Sequence, residues 1–172
     1  MSASLDYFKA MREAAAAVSS VMQSKGVEHA YIGGFAVNLL GGERHTEDID
    51  MQVNLSAPEL LQLRAFLLEH DTRFSYEKVN LYFSSSNGHK IPVETLPMPA
   101  LGLPGALSCV TVGDEVKLPV LQPGLLILTK VKRWAFNRES TRPATVIKAR
   151  RDLEDIMVLV DKLACDGQHI DF

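Results

Sequence analysis

Between Tyr31 and Val53 the sequence reads YIGGFAVNLLGGERHTEDIDMQV, and no other stretch restricts the fold so tightly. Apolar Tyr31-Ile32 runs into Gly33-Gly34, a short amphipathic stretch follows, and Asp48-Ile49-Asp50 closes the segment. In a strand alternate side chains share a face, so Asp48 and Asp50 project together while Ile49 and Met51 pack on the other side. Two carboxylates held in this way can clamp Mg²⁺, a cation that takes oxygen ligands and bridges phosphates. Glycines at a strand end leave backbone N–H groups open to phosphate, and a helix N-terminus favours negative charge there. Gly33 and Gly34 therefore suit a triphosphate, and metal-assisted phosphoryl chemistry is the expectation.

The flanking sequence supplies a frame for this segment. Helical spacing of Leu5, Phe8, Met11, Ala15, Val18 and Met22 predicts an amphipathic helix from Ala3 to Ser24, with Gly26 as its stop. His29 to Ile32 reads as a buried strand, Phe35 to Leu40 as about two helical turns, and Asp48 to Val53 as the next strand. Ser56 and Glu59 form a capping box that opens a helix to about His70. Arg73 to Tyr76 and Val79 to Ser84 read as extended, and Asn87-Gly88 is a hairpin turn that delivers His89 to Leu96 as the return strand. That strand carries Glu94 in an apolar frame, where an acid without a partner would be costly. Glu94 is therefore the candidate third carboxylate, as a metal ligand or as a general base.

Pro97, Pro99 and Pro104 interrupt regular structure until about Leu107. Val110 to Val112 and Val116 to Leu118 predict a small peripheral hairpin around Gly113-Asp114. A helix from Leu125 to about Asn137 and another from about Ala144 to Ala164 end the chain. On the last helix Ile147, Leu153, Ile156, Met157 and Val160 are expected on one face, with Lys148, Arg151, Asp152 and Asp155 on the other. Trp134 is expected to pack between the two helices, and His45 and His89 lack metal-ligand spacing.

Composition narrows the classes. The chain has 172 residues, 47% apolar and 23% charged, which fits one domain with a real core and disfavours disorder. A formal net charge of -3 excludes a wholly basic nucleic-acid binder, although local patches can still attract phosphate. Cys109 and Cys165 are far apart and without metal-ligand spacing, so they read as reduced core thiols. With no long apolar segment and no leader pattern, a cytoplasmic protein that does not engage a membrane is expected.

Ile32-Gly33-Gly34, thirteen intervening residues and Asp48-Ile49-Asp50 resemble the signature of the DNA polymerase β-like nucleotidyltransferase superfamily. Within it, Arg44-x-Thr46-x-Asp48-Ile49-Asp50 is similar to the abortive-infection toxin (AbiEii-like) type. Lys130, Ala135 and Arg138, followed by Lys148-x-x-Arg151-Asp152-Leu153-x-Asp155, resemble the C-terminal motif of those enzymes with looser spacing.

The resemblance spans roughly residues 29 to 160. It implies an α/β (α+β) fold: a single domain with a small mixed sheet over about 25–120 and a helical hairpin over about 123–165. It further implies two Mg²⁺ ions on Asp48, Asp50 and Glu94, and NMP transfer from an NTP to a hydroxyl acceptor with pyrophosphate release. Gly33, Gly34, Arg44, Thr46, Lys130 and Lys148 are the expected nucleotide contacts. Arg133, Arg138, Arg151, Asp152 and Asp155 are candidates to contact phosphate or acceptor, the acids alternatively orienting the bases or forming salt-bridged surface. The larger toxin-type proteins carry a further C-terminal domain for which this length leaves no room. Two rival readings stand beside the enzyme: a non-catalytic module that binds a nucleotide, small ligand or partner protein, and an enzyme using the groove for unrelated chemistry. The acceptor, whether small molecule, RNA end or protein, and the oligomeric state are not specified by the sequence.

Overall fold

A computed structural model describes residues 3–102 and 106–169; Pro104, expected to interrupt regular structure, lies outside them. Twelve elements follow in order: α1 (Ala3–Ser24), β1 (His29–Ile32), α2 (Gly33–Leu39), β2 (Ile49–Val53), α3 (Ala57–His70), β3 (Phe74–Glu77), β4 (Asn80–Ser84), β5 (Lys90–Pro97), β6 (Cys109–Val112), β7 (Leu118–Leu121), α4 (Pro123–Asn137) and α5 (Pro143–Cys165). The strands form one mixed sheet in the order β3-β4-β5-β2-β1-β7-β6. β2 lies antiparallel to β1 and parallel to β5, so the strand with the aspartates and the strand with Glu94 are neighbours.

The expected helix starts and turns are present. Ser56 and Glu59 make the capping box that opens α3, and Gly88, with φ +84°, turns the chain between β4 and β5. α1 buries Ala10, Met11, Ala14, Ala15, Val18 and Met22, the stripe that its 3.6-residue period brings to one side. Inside that contact, Ser19 Oγ lies 2.9 Å from His29 Nε2 and 2.8 Å from Tyr31 Oη, and Tyr31 donates to the Ala15 carbonyl at 2.6 Å. This buried polar chain locks α1 to β1.

Three expectations are corrected. The hairpin near Gly113 forms the edge of the main sheet through β6, but its second strand runs from Leu118 to Leu121 rather than over Val116 to Leu118 and pairs in parallel with β1 inside the sheet. Leu118, Val120 and Leu121 are buried, which draws this strand inward, whereas a proline at 119 marks the run as a poor interior strand when read locally. The two cysteines are exposed, Cys109 on the edge strand β6 and Cys165 at the last position of α5. On α5 the faces are reversed. Asp152 and Asp155 are buried with Ala149, Leu159 and Leu163, while Ile147, Leu153, Met157 and Val160 face outward. The acids turn inward because α4 and the segment after α2 supply cations to meet them. Among the described residues no helix is long and apolar enough to cross a membrane.

Candidate functional site

β2 and β5 build the acidic centre. Ile49 and Met51 are fully packed in the core, so the alternation of the strand turns Asp50 to the opposite face. Asp50 is in direct register with Glu94, and residues paired in this way on neighbouring strands share a face. Asp48 precedes β2 by one residue. Each of Asp48, Asp50 and Glu94 offers a carboxylate oxygen, and these atoms all lie within 4.8 Å of one another. Asp50 is half-buried between two exposed acids. Burial first, then the charges of Asp48 and Glu94, push its carboxyl up to about 7.

The double glycine is required by close approach. Gly33 has φ +69°, and a Cβ there would run into the Asp50 carboxylate. At Gly34 a Cβ would collide with the Arg44 guanidinium and approach Thr46 Oγ1 to 2.8 Å. The first turn of α2 therefore touches all three of these groups through bare backbone, and Thr46 donates to Asp48 Oδ1 at 3.3 Å.

Beside the acids stands a ladder of paired charges. Arg44 grips Asp155 with two prongs, Nε to Oδ1 at 2.6 Å and Nη2 to Oδ2 at 3.1 Å. The ammonium of Lys130, buried on α4, bonds Asp155 Oδ2 at 2.6 Å and stands 3.9 Å from Asp152 Oδ1. Arg133 binds Asp152 with both prongs, its Nε at 2.7 Å from Oδ2. Burial lowers the Lys130 pKa against the pull of Asp155, whereas the hydrogen bond that Arg133 donates to Asp152 raises that of Arg133. Asp152 and Asp155 are 0% and 1% exposed, so nothing in solvent reaches them.

Two cavities meet at the acids. One, of ≈ 210 Å³, is polar and faces Gly34, Arg44, Lys148 and Arg151. Among the described residues Lys148 and Arg151 have no ion-pair or hydrogen-bond partner, which leaves two cations uncommitted beside three acids. The other, of ≈ 660 Å³, is mainly apolar, with walls from Leu96, Leu101 and Phe136 and a rim cation at Lys132. Gly33, Asp50, Glu94 and Arg133 line both.

No protein-family model matches the sequence, and no curated protein matches it. Among solved structures, the chain is similar to an antigenic nucleotidyltransferase-like protein from Paracoccidioides brasiliensis, with a TM-score of 0.70 at 18% identity over 92% of this chain and 77% of that one. The fold is nucleotidyltransferase-like. Two structures of ANT(2")-Ia match at TM-scores of 0.47 and 0.48, each at 13% identity, covering 86% and 95% of this chain and 93% and 94% of theirs. One of them is a complex with adenylyl-2"-tobramycin.

On this nucleotidyltransferase-like fold most of the expected residues come together. Asp48, Asp50, Glu94, Gly33, Gly34, Arg44, Thr46, Arg133, Lys148 and Arg151 line the polar cavity, and Lys130 borders the apolar one. Arg138 stands apart, 6.0 Å from the Trp134 ring centroid and 3.6 Å from Glu139. Tyr7, Lys132 and Phe136 were not anticipated. Tyr7 donates to the Glu47 carbonyl at 2.7 Å and steadies the segment before Asp48. Lys132 and Phe136 are four residues apart, hence on one helix face, a signal available from the sequence once Lys130 and Arg133 were singled out.

Proposed function

We propose that this protein is an Mg²⁺-dependent nucleotidyltransferase that moves a nucleoside monophosphate from an NTP to a hydroxyl acceptor. The observation that carries this reading is the convergence of Asp48, Asp50 and Glu94 where a basic cavity and an apolar cavity meet. The donor set fits a hard dication: it is all oxygen, and the crowding that pushes Asp50 up to about 7 is relieved by positive charge. Asp48, Asp50 and Glu94 would hold the Mg²⁺, two ions by the resemblance, and the bound metal would neutralise charge developing on the phosphates.

The chain's own groups supply the rest. The β- and γ-phosphates lie along the backbone of Gly33 and Gly34, met by Lys148 and Arg151, two cations without an ion-pair or hydrogen-bond partner among the described residues. Arg44 and Arg133 complete that wall and stabilise negative charge on the leaving pyrophosphate. Asp155 and Asp152 are positioning residues, since they hold Arg44, Lys130 and Arg133 from within the fold. The apolar cavity with Phe136 takes the flat nucleoside or the body of the acceptor. In the transfer the acceptor oxygen bonds to the α-phosphorus as the bond from that phosphorus to the α–β bridging oxygen breaks. Pyrophosphate departs with the bridging oxygen, and the hydroxyl proton passes to the Glu94 carboxylate. The ion pair between Arg44 and Asp155 joins both regions of the abortive-infection resemblance, which supports a place near that type.

Asp48→Asn is expected to abolish transfer from labelled NTP while leaving the circular-dichroism spectrum unchanged. Mass spectrometry of RNA, protein and small-molecule pools for AMP, GMP, CMP or UMP adducts reads the acceptor. Nucleotide that binds equally well without Mg²⁺, with no NTP consumed in any pool, would replace the enzyme by a binding module.

A further inference from the structure

The last helix carries a second pattern, independent of the proposed chemistry. Residues 146, 150, 153, 157, 160 and 164 fall at alternating steps of four and three, the spacing of a coiled-coil seam. Val146, Leu153, Met157 and Val160 occupy four of these places and are 48%, 42%, 67% and 46% exposed. Single exposed apolar side chains are ordinary, but four along one stripe of a 23-residue helix form a continuous seam. Among the described residues nothing covers it. Asp152, Asp155 and Leu159 point the other way, into the fold, so the stripe lies on the side of α5 away from the cleft.

Charge identifies the occupant. Lys148 and Arg151 face the cleft, so from 142 to 151 the helix and its N-cap carry Arg142 and Arg150 away from it, and no acid. Asp152 and Asp155 are buried and paired inside the fold, so from 152 to 166 the charges on the exposed sides are Glu154, Asp161 and Asp166 against the single Lys162. A two-fold contact must be self-complementary, residue i meeting j while j meets i. A helix basic at one end and acidic at the other satisfies that condition only when its copy runs antiparallel, which also opposes the helix dipoles favourably.

We propose that α5 is the seam of a homodimer, packed antiparallel against α5 of a second copy. With the two-fold axis beside Asp155, Leu153 of each chain lies against Met157 of the other, and Val146 lies against Ala164. Arg150 lies against Val160 of the other copy, within reach of its Asp161. Among the described residues of the single chain Arg150 pairs with Glu154 alone, at 3.2 Å and with 83% of its side chain exposed, so that pair yields readily to a better one. The arrangement leaves Lys148 and Arg151 facing the cleft.

Light scattering coupled to size exclusion, across micromolar concentrations of the full chain, tests this pairing. A mass of twice one chain is expected, shifting toward one chain on dilution and in Met157→Glu, whose site is exposed and whose folding is checked by circular dichroism. Arg150→Asp should weaken the dimer about tenfold, and Arg150→Asp with Asp161→Arg in the same chain should restore it, because each copy then presents the swapped pair. A monomer at every concentration overturns the proposal, as does a dimer indifferent to Met157→Glu. A dimer weakened by Arg150→Asp and not restored by the double swap overturns the antiparallel register.

Discussion

At the level of single residues, Asp50 is where the fold and the chemistry conflict. Its carboxyl, pushed up to about 7 by burial and by Asp48 and Glu94, opposes ionisation in the metal-free protein. A folded pKa above the unfolded one gives stability that is full below the unfolded value and lost as pH rises through about 7. At pH 8 the metal-free fold thus carries a repelled charge. Asp50→Asn removes it, and the variant is expected to be more stable by about 1–2 kcal/mol in urea denaturation with chelator, a partial share of the full shift because the group is only half-buried. The same variant should lose NMP transfer, and equal or lower stability would contradict the account. Gly33→Ala tests the same contact from the other side. Its left-handed backbone and the Asp50 carboxylate in the path of Cβ predict a loss of about 1–3 kcal/mol in thermal unfolding, with weakened Mg²⁺ binding by titration calorimetry.

At the level of elements, α5 is held by its acids. Asp155 bonds both Arg44 and Lys130 while fully buried, so Asp155→Asn leaves the buried ammonium with only the more distant Asp152, at 3.9 Å, as counter-charge. Breaking such a pair costs about 3–5 kcal/mol. The double variant Asp155→Asn with Lys130→Met should cost less than the sum of the two single changes, measured as a double-mutant cycle in urea. This pairing also explains which elements were legible in the sequence. Helix caps, the Asn87-Gly88 turn and the Gly-Gly to Asp-x-Asp segment are decided within a few residues of themselves, and they fold as read. Glu94 was legible because an acid inside an apolar strand demands a reason. The inward face of α5 was not, since hydrophobicity alone assigns Leu153 and Met157 to the core. The cations that reverse that choice come from α4 and from Arg44, 111 positions earlier. β7 was misplaced for a similar reason: its burial depends on β1, far away in the chain.

For the molecule as a whole, acid sensitivity should originate at the contact of α1 with the sheet. Burial lowers the His29 pKa, so the folded state favours the neutral imidazole bonded to Ser19. A depressed folded value gives stability that is full above about 6.5, the unfolded reference, and lost as pH falls through the folded pKa. Asp50 acts in the opposite sense over this range, so Asp50→Asn is the proper background. There, urea midpoints are expected to fall from pH 7.5 to pH 5, and adding His29→Gln should flatten that slope. An unchanged slope would assign the acid sensitivity to the carboxylates.

The bond between Arg44 and Asp155 has a consequence for synthesis. When Arg44 leaves the ribosome its partner Asp155 has not been made, and six strands and two helices must follow before α5 arrives. At about 5–20 residues per second, the separation of 111 positions takes roughly 5–20 s to synthesise. A nascent chain can thus present all three acids before Arg44 meets Asp155, so the wall proposed to meet the triphosphate is completed only once α5 has been made.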